Sequence, residues 1–156
     1  MSYTKAHYDF DQADNATQIA TLLGLTNLGL SIFQLAQGEG FDFFHSHREQ
    51  EEVYLCLEGQ ADLKIMNDSD MIDHLFLKKG DIVRVSPKTL RAVGNHSETR
   101  CTLLVAGACP HTYPTGYGHH DVINDVFSVV RKPSTGFTLP TMLEKSDPTD
   151  TTEDDC

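Results

Sequence analysis

An all-β barrel or sandwich, preceded by one short helix, is the fold class that the 156-residue sequence predicts. Eight short apolar or alternating runs follow one another from Leu28 onward. Clusters rich in Gly, Pro, Asn and Asp, such as NDSD, KKGD and SPKT, separate them as turns separate strands. Helical spacing occurs near the N-terminus alone, and no self-similar period points to a repeat array. A chain of this length builds one core and hence one domain.

In chain order the helix comes first. Asn15 is followed three residues on by Gln18, then by Ile19, Leu22 and Leu23 at helical spacing and by Gly24, the pattern of a capped helix of about two turns. Strands are expected at Leu28 to Leu35, Phe41 to His47, Glu52 to Leu57 and Ala61 to Met66. Four more are expected at Met71 to Leu77, Ile82 to Val85, Arg100 to Ala106 and Val122 to Val130. Residues 1–27 therefore make an N-terminal segment and 28–145 the barrel, while 146–156, rich in Asp and Thr without an apolar anchor, reads as a disordered acidic tail. Strand side chains alternate between faces, so Glu52, Tyr54 and Cys56 share one face and Val53, Leu55 and Leu57 the other. An apolar outer face needs cover from a terminal segment or a second subunit, which predicts a homodimer.

Composition narrows the partners. Lys and Arg number 12 against 23 Asp and Glu, a net charge of -11, and such a surface repels polyphosphate, so nucleic acid is not an expected partner. Five of the acids (Asp147, Asp150, Glu153, Asp154, Asp155) lie in the tail. Mean hydropathy is -0.33, and no run approaches the roughly 18 apolar residues of a membrane helix. The opening MSYTKAHYDFDQ lacks the apolar stretch of a secretory signal, so a cytoplasmic protein is expected. Cys56, Cys101, Cys109 and Cys156 show no CxxC spacing and are expected as reduced thiols, without a zinc cluster or disulfide framework.

His45 and His47, two apart on a strand, point to the same face, and Glu52 at the start of the next strand returns to the same place. Two imidazoles and a carboxylate within reach of one ion are a metal-ligand pattern, although His-x-His alone also suits solvent-facing or hydrogen-bonded rings. Tyr54, on the face of Glu52, presents its hydroxyl to a ligand or fills the barrel. Phe41, Phe43 and Phe44 wall the barrel, and Phe43 shares a face with both histidines and so can touch a ligand. Cys56 lines the pocket or serves as a small buried residue. His119, His120 and Asp121 read as a solvated turn or the start of a strand, since adjacent strand residues face opposite ways. His7, His74, His96 and His111 have no partner at informative spacing.

The stretch GFDFFHSHREQEEVYLCLEG, from Gly40 to Gly59, resembles the first motif of the cupin superfamily: a glycine, His-x-His, a Glu, six residues and a glycine. Four residues separate His47 from Glu52 and six separate Glu52 from Gly59, which fits; the gap from Gly40 to His45 is one shorter than usual. KKGDIVRVSPKTLRAVGN resembles the second motif through Gly80, Asp81, Pro87 and Asn95, with Gln60 to Lys79 between the two motifs. The resemblance covers Leu28 to Ala106 and implies a double-stranded β-helix, or jelly-roll barrel, as in a small single-domain cupin. Gly59, Gly80 and Asp81 are then expected to set turn geometry.

One position departs from that family pattern. Where the second motif places its last metal-binding histidine, this chain has Arg91, as in a subgroup of small cupins. If Arg91 points inward it pairs with Glu52 and opposes a cation, leaving a metal-free polar pocket. If it points to the rim, His45, His47 and Glu52 remain a 2-His-1-carboxylate set for Fe, Mn, Ni or Zn, and Arg91 suits an anionic group. Two functions follow: a module that binds a small polar or anionic ligand, with or without a divalent metal, or a metal-dependent dioxygenase or isomerase acting on a small carboxylate or sugar-like substrate.

Overall fold

Period-two alternation decides which side chains of this chain meet in a core. The computed structural model describes residues 3–11, 16–108, 126–130 and 135–137. Its strands are β1 (Ala16–Gln18), β2 (Gly29–Leu35), β3 (Phe44–His47), β4 (Glu51–Glu58), β5 (Gln60–Met66), β6 (Ile72–Lys78), β7 (Ile82–Val85), β8 (Leu90–Gly94), β9 (Cys101–Ala108) and β10 (Val126–Val130). They form two five-stranded antiparallel sheets, ordered β1-β2-β9-β4-β7 and β10-β3-β8-β5-β6. Leu35, Tyr54 and Leu103 from the first sheet and Leu63, Leu77 and Val93 from the second share one buried core. Burying such side chains contributes about 1.5–3 kcal/mol each.

The expected phase of β4 holds: Glu52, Tyr54 and Cys56 are buried, while Val53, Leu55 and Leu57 are half-buried on the outer face. Phe44, Met66 and Ala92 form a second, smaller cluster on the opposite face of the second sheet. Gly59 turns β4 into β5 at φ 71, and a Cβ there would lie 2.4 Å from the Arg100 carbonyl oxygen. Only glycine meets both demands.

Three expectations are corrected. The helix α1 (Ile19–Leu23) has five residues, not two turns, because Ala16 to Gln18 pair with β2 as a strand; the helix starts after Gln18, which stands at its N-cap without a side-chain capping hydrogen bond. Gly24 does end it, at φ 64, with its N–H donated to the Thr21 carbonyl. Phe41 to Phe43 precede β3 instead of belonging to it; Gly40 bridges Gly94, and Phe41 donates its N–H to the Val93 carbonyl. The strand β8, hidden in the sequence behind the turn cluster SPKT, was not anticipated, and it carries Arg91. The tail 146–156, His111, His119 to Asp121, Asn15, Cys109 and Cys156 lie outside the described residues.

Residues 135–137 seat on the outer face of the second sheet. Thr135 donates its hydroxyl to the Phe41 carbonyl at 2.7 Å and accepts the Lys64 ammonium on its own carbonyl. The Phe137 ring lies 4.5 Å from that ammonium, 4.2 Å from the His96 ring, and directly over Gly94. A Cβ on Gly94 would sit 2.4 Å from the ring. Gly94→Ala should therefore displace Phe137 and cost about 1–3 kcal/mol in urea unfolding. Combined with Phe137→Ala the two losses should fall well short of additive, and full additivity would refute the contact.

Candidate functional site

The site grows from three strands, β3 and β8 of the second sheet and β4 of the first. On β3, His45 and His47 face inward two residues apart, and on β4 the second residue is Glu52. On β8, Arg91 stands directly opposite His45 in the antiparallel ladder, so both side chains project to the same face. Arg91 is 0% exposed and points into the barrel. Of the two directions open to it from the sequence, the inward one is realised.

Glu52 is the hub. Its Oε2 accepts the Tyr54 hydroxyl at 2.6 Å and Arg91 through Nη2 at 2.7 Å and Nε at 3.2 Å. Its Oε1 accepts Gln50 Nε2 at 3.2 Å and lies 3.2 Å from His47 Nε2. Arg91 Nη1 is donated to the Thr89 carbonyl at 3.0 Å. The guanidinium is thus engaged on two sides.

These contacts set the protonation states. Burial alone would raise the Glu52 carboxyl, but His47 and the Arg91 charge outweigh it and hold the group well below the usual carboxylate range. Burial lowers His45 to about 3 against the opposing pull of Glu52, with Arg91 and His47 adding to the drop, so the ring is neutral at ordinary pH. Burial, then the Glu52 charge, pushes Tyr54 far up, and the phenol stays protonated. Burial likewise raises Cys56, and raises Cys101 to about 12; both are free thiols of low reactivity.

A cavity of about 40 Å³ opens beside this hub. Phe33, Phe41 and Val105 form its apolar wall, and Ser31, Gln50 and Glu52 its polar one, with His45 and Tyr54 between. Tyr54 borders the cavity, but its hydroxyl is donated to Glu52. Arg91 stands behind Glu52 and not on the wall, so an ion pair with a ligand is not its geometry. Phe43 packs its edge on Phe41 at 5.5 Å and on His45 at 5.9 Å, outside the wall; Phe41 takes the wall position. Gln50 was missed from sequence, although one step back in the phase of Glu52, Tyr54 and Cys56 reaches it.

His45, His47 and Glu52 offer ligand atoms that all lie within 4.8 Å of one another, and all three residues are buried. His45 Nδ1 has no hydrogen-bond partner among the described residues. Two ligands at right angles on an ion with bonds near 2.1 Å lie about 3 Å apart, close to the 3.2 Å between His47 Nε2 and Glu52 Oε1. The donor set therefore fits a divalent cation. Arg91 and Tyr54 would orient the carboxylate from its far oxygen, while the Arg91 charge makes the ligand set neutral overall and weakens the hold.

Residues 31–107 match the sequence model of the family described as "Cupin domain". A cupin protein from Bacteroides fragilis is similar in structure, with a TM-score of 0.60 and 27% identity over 78% of this chain and 95% of that one. The plu4264 protein from Photorhabdus luminescens gives 0.56 and 20% identity over 68% and 88%. A sugar phosphate isomerase from a cupin superfamily, from Silicibacter pomeroyi, gives 0.52 and 22% over 60% of this chain and 57% of that one. The last two are likenesses of fold. No curated protein matches the chain.

The buried histidine has a consequence for acid stability. A base whose folded-state value is lowered stays neutral in the fold while the unfolded chain takes up the proton, so stability is lost as pH falls from the ordinary value, 6.5, toward about 3. Glu52 adds the same sign below its ordinary value of 4.5. For metal-free protein, urea midpoints measured from pH 7 to pH 4 should fall steadily, toward a loss on the order of 4 kcal/mol. His45→Gln should flatten that slope, and an unchanged slope would contradict a neutral, buried His45.

Proposed function

Since the chain is a small protein of the cupin superfamily, we propose that its barrel binds a small polar ligand beside a divalent cation held by His45, His47 and Glu52. The observation that carries this reading is the convergence of three buried donors within 4.8 Å of one another, two of which, His45 and Glu52, line the cavity. A bound cation would supply Lewis-acid polarisation of a ligand oxygen. Arg91 and Tyr54 hold Glu52 in its orientation by hydrogen bonds, and Phe41 limits access from the apolar side. In this reading Arg91 is a positioning residue, Tyr54 and Phe43 shape the pocket, and an anionic ligand group is bound through the cation.

The protein is also proposed to work as a homodimer in the cytoplasm. Leu104, Leu55 and Ile82 are successive Cα partners across β9, β4 and β7, an aliphatic row on the outer face of the first sheet, while their neighbour Ile32 on β2 is already buried within the chain. Ile82, on an edge strand, is 65% exposed. A second copy would cover the row and the edge together. No helix among the described residues is long and apolar enough to cross a membrane.

Calorimetric titration of untagged protein with Mn²⁺ or Zn²⁺ tests the cation. One site per chain is expected, with affinity reduced at least a hundredfold in His47→Ala and raised tenfold or more in Arg91→His, which adds an imidazole and removes a cation. Equal affinity in native protein and His47→Ala would overturn the reading. Light scattering tests the dimer: native protein should have twice the chain mass and Ile82→Glu the mass of one chain, whereas a native monomer at micromolar concentration would remove the dimer from the account.

A further inference from the structure

The short strap of residues 135–137 has a seat built for its aromatic ring. Gly40 and Gly94 face each other as an isolated antiparallel bridge, and the Phe137 ring covers both: a Cβ on Gly40 would lie 3.0 Å from its Cγ, and one on Gly94 would lie 2.4 Å from its Cδ1. Bare backbone at a bridge of this kind marks the close approach of something else. Thr135 and Phe137 are buried there, and the Phe137 N–H is donated to the Thr135 hydroxyl at 3.2 Å.

His96, in the turn after β8, clasps the strap from the solvent side. Its Nδ1 lies 2.9 Å from Asp62 Oδ2 on β5 and its Nε2 lies 3.4 Å from the Gly136 carbonyl oxygen, while its ring packs on that of Phe137 with centroids 4.2 Å apart. Both partners, a carboxylate and a backbone carbonyl, accept hydrogen bonds and have none to give. A neutral imidazole donates through one nitrogen alone, so it serves one of the two partners. Only the imidazolium donates to both, and its charge also favours the face of an aromatic ring.

Charged groups on the neighbouring strands bear on that proton. Lys64 on β5 donates to the Thr135 carbonyl and holds its ammonium 3.8 Å from Asp62 Oδ2 and 4.5 Å from the Phe137 ring, where it opposes a second positive charge. His74 on β6 approaches the other carboxylate oxygen, Oδ1, at 3.6 Å. Charge-assisted hydrogen bonds are roughly twice as strong as neutral ones, so the direct bonds of His96 to Asp62 and Gly136 set the sign. The strap in turn reaches the cavity, because Thr135 donates its hydroxyl to the carbonyl of Phe41, whose ring lines the wall.

We propose that His96 is a proton-operated clasp: as an imidazolium it ties Asp62 to Gly136, pins the strap in its glycine seat and, through Thr135, steadies Phe41 at the cavity wall. As a neutral ring it releases one of its two partners, and the strap loosens. The clasp lies outside the barrel and requires neither a ligand nor a cation within it.

Amide hydrogen exchange followed by ¹⁵N NMR at pH 5.5 and pH 8.0, values that bracket the range in which imidazoles change charge, reads the strap through the Phe137 N–H. After correction for the intrinsic rate at each pH, protection of Phe137 should be greater at pH 5.5 by about threefold or more. The Phe41 N–H, donated to Val93, should change in the same sense. His96→Gln, which leaves a neutral side chain, should give equal protection at the two pH values, and Asp62→Asn, which removes the carboxylate charge, is a second route to the same result. His74→Gln should keep the native response. The barrel as a whole loses stability toward acid, so a gain at Phe137 has its origin in the strap. Equal protection at both pH values in native protein, a response that survives His96→Gln or vanishes in His74→Gln, or one that Phe41 does not share would each overturn the inference.

Discussion

The buried pair of Arg91 and Glu52 is the contact on which the rest of the site depends. Glu52 is on β4 of the first sheet and Arg91 on β8 of the second, so their contacts at 2.7 and 3.2 Å tie the two sheets across the barrel interior. Taking two charges out of water is costly, and a pair is retained only where geometry and further hydrogen bonds compensate. Both conditions are met. Tyr54, Gln50 and the Thr89 carbonyl satisfy what the pair leaves over. Breaking such a pair by removing one partner typically costs about 3–5 kcal/mol.

The same pair decides the chemistry of the cavity. With the guanidinium on Oε2, Glu52 is oriented so that Oε1 lies near His47, and its charge is neutralised from behind. A carboxylate held in this way ligates a cation less strongly than an isolated one, but its geometry is set in advance. The polar wall therefore combines low net charge with fixed direction.

Beyond the barrel wall, residues far apart in the chain hold the cavity in shape. Phe41 is fixed by its N–H on Val93, and its carbonyl accepts the hydroxyl of Thr135, so the segment at 135–137 reaches the cavity through one residue. The Phe41 ring lies 5.1 Å from that of His45. On the opposite side the N-terminal segment docks on β2, where Tyr8 donates to Gln34 at 3.0 Å and Gln34 donates to the Phe10 carbonyl at 2.8 Å. Asn95, at the end of the second motif, is buried and donates to the Leu35 and Thr99 carbonyls, closing β2 onto the turn after β8. These are links between segments that no local pattern describes.

Fold class and the convergence of His45, His47 and Glu52 were legible in the sequence, because both follow from period-two alternation, a local property of each strand. Turn clusters divided the strands in nearly the right places for the same reason. Two features needed the tertiary structure. The helix was read as longer than it is because pairing of Ala16 to Gln18 with β2, a contact between separate segments, overrides local spacing. Arg91 left two directions open because a side chain's direction depends on its strand's partners, and β8 was itself concealed by a short polar run after Pro87. Its register opposite His45, and its bond to a carboxylate 39 residues away, are products of sheet pairing and desolvation. The sequence by itself determined which residues line up on a strand; only the folded barrel decided that the guanidinium lies behind Glu52, because burial leaves that charge one place where it is both paired and hydrogen-bonded.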